Sequence, residues 1–235
     1  MERIIGDTGN SEPGKLLLAI GAIHGNETSG MLALEYVVEY LQSMKVPVNG
    51  RFVALRGNLQ AIEQQKRYLD RDLNRVWSDE HIQRAIRNPG QFAEYRELKE
   101  IFEVFQKLTF HRYPERFFLD LHTTSGENGT FTLVSDLPST EFIINHYHAP
   151  VVLGLYRGLF NTTVPYMHMH GFVSMGFEAG KIGTHQAIEN HVFTIFQTLW
   201  LTGLIKKEDA PPHVVEYTGL LDLNAHLPPR MELEY

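Results

Sequence analysis

The chain of 235 residues contains no cysteine. That excludes disulfides, thiolate metal ligands and cysteine nucleophiles, so a metal site here must be built from His, Asp and Glu. No apolar stretch is long enough to span a bilayer, and no membrane partner is expected. The opening MERIIGDTGN lacks a basic start followed by an apolar run. A signal peptide is therefore not expected, and a cytoplasmic location is. Positive charge is scarce as well: 21 Lys and Arg stand against 28 Asp and Glu, a net charge of −7. The absence of a basic patch argues against a nucleic-acid partner, although a local arginine cluster can hold a small anion inside an acidic protein. Repeats, low-complexity segments and long linkers are missing too.

What is present is an ordinary globular balance, 43% hydrophobic and 21% charged, long enough for one sizeable core. Lys15 to Ile23 reads as a buried strand, Glu27 to Met44 as a helix with Met31, Leu34, Val37, Val38 and Leu41 on one face, and RFVALRG at 51–57 as a second strand. Strand, helix and strand in that order suggest a parallel βαβ unit. Residues 58–90 read as irregular and polar, with a short helix near Ala61. Residues 91–108 carry a helical stripe of Phe92, Tyr95, Leu98, Phe102 and Phe105. Further strands are expected in RFFLDLHTTSG, GTFTLVS, APVVLGL and GFVSMGFEAG, a helix in PSTEFIINHYH, and a long helix from Thr184, its N-cap, to Ile205. VVEYTG at 214–219 is expected to be a strand. The expectation is an α/β domain over residues 1–209, followed by a short appendage over 210–235.

Three of the apolar strands end in polar groups: His24 with Glu27, His122, and Glu178. In open α/β sheets the carboxyl ends of strands form the crevice where ligands bind. Two imidazoles and one carboxylate are the ligand set of a catalytic zinc site that leaves a fourth position open to water. His24 and Glu27 come from one turn and His122 from another strand, which leaves Glu178 free to act as a base on the metal-bound water. Each group taken singly has a plainer reading: a solvated turn, a capping histidine, a salt-bridged strand end. Their joint position at the ends of apolar strands favours the metal site. A fourth piece is RYLDRDLNRVW, residues 67–77, where Arg67, Arg71 and Arg75 recur every four residues with Asp70, Asp72 and Asn74 between them. It reads either as a charged surface helix with i,i+4 pairs or as an anion-binding loop, because the guanidinium fork matches a carboxylate.

GAIHGNE, RYLDRDLNR, DLHTT and GFEAG, in this order and spacing, resemble the succinylglutamate desuccinylase and aspartoacylase family of zinc carboxypeptidase-like hydrolases. The resemblance runs from about residue 15 to 205. It implies a three-layer α/β/α sandwich around a mixed, mostly parallel sheet, and one zinc ion held by His24, Glu27 and His122. It implies Glu178 as general base and proton shuttle, Arg67 as the group that polarises the scissile carbonyl, and Asn74 and Arg75 as ligands of the α-carboxylate of an N-acyl amino acid. Asp72 would orient an arginine or a zinc-ligand histidine.

Two features depart from the family pattern. Members usually carry a C-terminal β domain over the active site, whereas only residues 210–235 follow the main domain here. Aspartoacylases have a substrate-recognising arginine ten residues before the base; that position is His168, in YMHMHGF. His168 is therefore the candidate substrate contact, and it and His170 are expected on one face of a strand. Lys181 is expected to add positive potential at the mouth, and His185 and His191 to sit on a helix surface. The leading function is a zinc-dependent deacylase of N-acyl amino acids. The alternatives are a metallocarboxypeptidase of short peptides and a metal- or carboxylate-binding protein without turnover. A homo-oligomer is compatible with each.

Overall fold

The structure, a computed structural model, describes residues 1–10, 14–108, 112–126, 129–135, 137–154, 158–216 and 230–232. Eight strands form one sheet: β1 (Ile4–Gly9), β2 (Lys15–Gly21), β3 (Arg51–Arg56), β4 (Glu115–Thr124), β5 (Phe131–Val134), β6 (Val151–Leu153), β7 (Val173–Lys181) and β8 (Arg230–Glu232). Helices accompany them among the described residues, including α1 (Ser29–Ser43), α2 (Leu59–Glu63), α3 (Asp79–Arg87), α4 (Ala93–Lys107), α5 (Leu137–Ile144), α6 (Thr163–Met169) and α7 (His185–Leu201). The sheet order is β1-β3-β2-β4-β7-β5-β6-β8. The centre, β3-β2-β4-β7, is parallel, while β1 and β5 pair antiparallel to it. The mixed, mostly parallel sheet between helical layers is thus as expected.

The layering follows from which side chains alternate on the central strands. Leu17, Ala19, Leu119, Leu121, Met175 and Phe177 join residues of α1 and α7 in one core. Leu16, Leu18, Ile20 and Phe118 join residues of α3, α4 and α6 in the other. Both faces of these strands are covered, which is why they read as continuous apolar runs rather than alternating ones. Leu18 and its β4 neighbour Phe118 are fully buried beneath α4. Leu18→Ala is expected to cost about 2–5 kcal/mol, measured as the change in unfolding free energy by urea denaturation.

Several local expectations are corrected. Residues 79–87 form α3, with Ser78 Oγ accepting from His81 N as its N-cap. The segment reads as irregular in sequence because its apolar face is narrow: within α3 only Ile82 and Ala85 are buried. His168 and His170 are not on a strand. His168 belongs to the last turn of α6 and His170 caps it, because Thr163 to Met169 buries Val164, Tyr166 and Met167 at helical spacing. Residues 212–216 are helical rather than extended; the rest of the VVEYTG stretch lies outside the described residues. Ala210 and Val214 belong to the α1/α7 core, and β8 pairs parallel to β6. The described residues after 209 are therefore packed onto the domain and its sheet. Among the described residues no helix is long and apolar enough to cross a membrane.

Candidate metal centre

The parallel register determines which strand ends meet. His122 is the cross-strand partner of Glu178, and Leu121 that of Gly21, so the carboxyl ends of β2, β4 and β7 lie side by side. Beyond β2 the chain turns at Ala22, which holds a left-handed φ of 59°, and Glu27 N donates to His24 O at 2.9 Å. This tight turn sets the two side chains together. Gly25 inside it packs against α2: a Cβ there would meet Ala61 C at 2.2 Å, so only glycine fits.

His24 Nδ1 lies 2.9 Å from Glu27 Oε1, and His122 Nδ1 lies 3.3 Å from Glu27 Oε2. Potential ligand atoms of these three buried residues all lie within 4.8 Å of one another. Two donors about 2.0–2.2 Å from one tetrahedral ion are about 3.4 Å apart, so the spacing suits a zinc-sized cation. The outer nitrogens support that fit. His24 Nε2 donates to Asp72 Oδ1 at 3.0 Å, and His122 Nε2 faces Asp120 Oδ2 at 2.9 Å. With a cation bound, a carboxylate behind each imidazole would hold the proton on Nε2 and leave the Nδ1 lone pair facing inward. His24 Nδ1 is buried and faces Glu27 Oε1, on the side of the cluster away from Asp72.

The groups of the cluster also shift one another's ionisation. Burial by itself would raise the Glu27 carboxyl, but the hydrogen bonds and charges of His122 and His24 hold it far below the ordinary range. Burial likewise opposes ionisation of Asp72, yet His24, the Asn74 N–H and Arg67 bring it down to about 2. Burial would lower His122, and Asp120 and Glu27 overcome it and raise its pKa well above normal. Four carboxylates, those of Glu27, Asp72, Asp120 and Glu178, gather around the two imidazoles and Arg67. This is an acidic enclosure that a cation relieves.

Glu178 stands apart from the ligand triad. Its Oε2 is buried with no hydrogen-bond partner. Its pKa is raised, chiefly by burial and further by Glu27 and Asp120, with His122 and His24 opposing. It lines a cleft of about 110 Å³ together with His24, His122, Arg67, Asn74 and Arg75.

The segment carrying those last three residues is a loop, not the surface helix considered above; only Leu73–Arg75 forms a single 3-10 turn, with Asp72 as its N-cap. Arg67 Nη1 donates to Glu27 Oε1 at 2.8 Å, and Arg67 Nη2 lies 3.6 Å from Asp72. Asp72 therefore meets both a candidate ligand histidine and an arginine. Asn74 is buried, its Nδ2 3.2 Å from His122 Nε2 and its Oδ1 accepting from Thr163 N at 2.9 Å, so its carbonyl ties the loop to α6. Arg75 is exposed, donating to Asn74 O.

His168 is not brought into the cleft. The cleft is lined by the opposite end of α6, from Thr162 to Pro165. Lys181 and His185 are exposed. His191 corrects the surface expectation: it is fully buried on α7, and its Nε2 donates to His122 O at 3.1 Å. Burial pushes its pKa down to about 3, so it is a neutral donor behind the candidate ligand His122. Asp120 and Thr163 also belong to the site, through His122 and Asn74. The signal for Asp120 is the DLH spacing, since alternate strand residues share a face; Thr163 Oγ1 donates to it.

The family model described as the succinylglutamate desuccinylase/aspartoacylase catalytic domain matches residues 13–184, well over half of the chain. The chain belongs to this family. An N-acyl-aromatic-L-amino acid amidohydrolase of Xenopus laevis is 32% identical over 126 residues, covering 53% of this chain and 39% of that protein. The succinylglutamate desuccinylase of Pseudoalteromonas atlantica is 32% identical over 111 residues, covering 46% and 31%. The matches thus span well under half the length of these two relatives. Family resemblance extends to the fold: the succinylglutamate desuccinylase of Chromobacterium violaceum superposes with a TM-score of 0.67 at 16% identity, over 88% of this chain and 66% of that one. Murine aminoacylase 3 gives 0.55 at 20%, over 90% and 67%.

Proposed function

We propose that this chain is a metal-dependent hydrolase that cleaves the amide bond of an N-acyl amino acid or a related small carboxylate. The observation that carries the reading is the unpartnered, buried Glu178 Oε2 in the same cleft as His24 and His122, which group with Glu27 as candidate metal donors. A binding protein has no need of a buried carboxylate with a raised pKa beside its ion, whereas a base and proton carrier does. The names of the relatives, an amidohydrolase and a desuccinylase, agree with the reaction class.

Held by those three residues, one zinc ion would supply a Lewis acid that acidifies water and polarises a carbonyl. In this reading Glu178 takes the proton of the attacking water on Oε2 and delivers it to the leaving amine. Arg67 faces the negative charge that grows on the carbonyl oxygen; losing one such donor costs about 10²–10³-fold in rate. Arg75, exposed at the rim, holds the substrate carboxylate, with Asn74 fixing the turn beside it. Asp72 and Asp120 keep the imidazoles of His24 and His122 oriented.

A second reading, a carboxypeptidase-like action on short peptides, is favoured by one feature. A groove of about 840 Å³ adjoins the cleft and shares Leu159 and Pro165 with it. The cleft alone is below the range of about 300–1,000 Å³ usual for ligand sites. A longer substrate would continue along α6, past Tyr166 and Met169. The test is a panel of N-acetyl, N-formyl and N-succinyl amino acids beside di- and tripeptides, with zinc-loaded protein and release of free amine as readout. Turnover of the acyl amino acids is expected. Turnover of peptides alone selects the second reading, and binding without turnover of any of them rejects both.

A further inference from the structure

Two glutamates one turn apart on α4 are buried, Glu94 fully and Glu97 to within 2%. In a sequence they look like the exposed charges of an amphipathic helix. Each holds a different piece of chain. Glu97 accepts from Leu59 N and Gln60 N at the start of α2 and is paired with Arg3. Glu94 has no cation within salt-bridge distance among the described residues. Its partners are three consecutive backbone N–H groups of the arginine loop, Leu69 N at 2.7 Å and Asp70 N and Arg71 N at 3.0 Å, with Asn58 Nδ2 at 3.1 Å. A run of backbone N–H groups converging on an anion is a nest, and here the anion is the chain's own side chain.

The lock is reciprocal. Asp70 Oδ2 accepts from Ala93 N at 2.7 Å, satisfying a free donor at the start of α4, and the Arg71 guanidinium lies 4.0 Å over the Phe92 ring. The loop has no ladder or helix to define its path until Leu73. One residue beyond the clamp, Asp72 meets His24; three beyond, Asn74 meets Thr163 and lies beside His122; four beyond, Arg75 reaches the cleft.

We propose that Glu94 is the positioning residue of the arginine loop, setting the geometry with which that loop receives the substrate carboxylate. This rests on the hydrolase reading above. Glu94→Gln keeps size and shape but places one acceptor and an NH₂ group where two oxygens accept four donors, so loop N–H groups lose their partners.

The experiment compares Glu94→Gln with Glu97→Gln in zinc-loaded protein, reading KM and kcat for the best N-acyl amino acid, zinc content, melting temperature, and amide hydrogen exchange over residues 69–75. Glu94→Gln is expected to raise KM about tenfold or more with kcat within about threefold, to keep its zinc, and to speed loop exchange. Glu97→Gln is expected to lower stability without moving KM or loop exchange. Equal effects of the two variants on KM and exchange, or unchanged loop exchange in Glu94→Gln, would overturn the proposal. If the wild type turns over no substrate, the hydrolase reading fails on its own. Exchange then decides for the clamp: faster at residues 69–75 in Glu94→Gln alone supports it, and no difference overturns it. If Glu94→Gln does not fold, Asp70→Asn carries the same comparison from the other half of the lock.

Discussion

Glu178→Gln is expected to lower turnover by about 10²–10⁴-fold while leaving zinc content unchanged. Glutamine fills the same space at the end of β7 but cannot accept a proton, and residue 178 is not among the three candidate ligands. The same substitution has a signature in stability. The folded-state pKa of Glu178 is raised by burial. Such a carboxyl favours folding below its unfolded pKa, and its contribution is lost as the pH rises through the folded value, where the native state must bury a charge. In chelator-treated protein at pH 7, Glu178→Gln is therefore expected to melt above the wild type. The difference should shrink as the pH falls toward the ordinary glutamate value of about 4.3. A wild type that is the more stable of the two at pH 7 would mean that a cationic partner already satisfies Glu178. Activity lost together with bound metal would make Glu178 a ligand instead of a base.

Asp120→Asn is expected to weaken metal binding by about 10–100-fold, read by competition with a chromophoric chelator. Asp120 is fully buried behind His122 Nε2 and shared with Thr163. Its charge raises the electron density of the imidazole whose Nδ1 faces Glu27. Asparagine can still accept the Nε2 proton but removes the charge, so the ring remains oriented and becomes a poorer donor. Asp72→Asn should cost less, because Asp72 is partly exposed and Arg67 shares it. Unchanged affinity in Asp120→Asn would contradict binding through His122 Nδ1.

The candidate ligands were legible because buried parallel strands read as unbroken apolar runs, so a polar residue at the end of each stands out. His24, Glu27, His122 and Glu178 all emerged this way, and the β4/β7 register sets His122 beside Glu178. Groups lying inside an element did not emerge. Asp120 lies within the run FFLDLH and looks like an interruption of a strand; its meaning depends on His122 two residues on and on Thr163 from a distant helix. Glu94 and His191 carry the polarity of exposed helix positions, and only the packing of α4 on the arginine loop and of α7 behind β4 shows them buried. His168 lies elsewhere than its sequence position suggests for a related reason. Its spacing before Glu178 suggested proximity along a strand, but the chain between them forms α6 and a turn at Gly171, whose φ is 79°. That carries residue 168 to the end of α6 away from the cleft. Arg67 and Asn74 were recognisable as polar-site residues, while their present partners, Glu27 and Thr163, depend on the tertiary fold.

The most direct test is a zinc titration of metal-depleted protein and its His122→Ala variant, measuring bound zinc and amide hydrolysis in the same samples. Activity in the wild type is expected to rise with zinc and level off at one equivalent per chain, and His122→Ala should bind weakly and stay inactive. Full hydrolysis in the metal-free protein, or one tightly bound ion in His122→Ala with activity intact, would contradict a metal centre built on His24, Glu27 and His122.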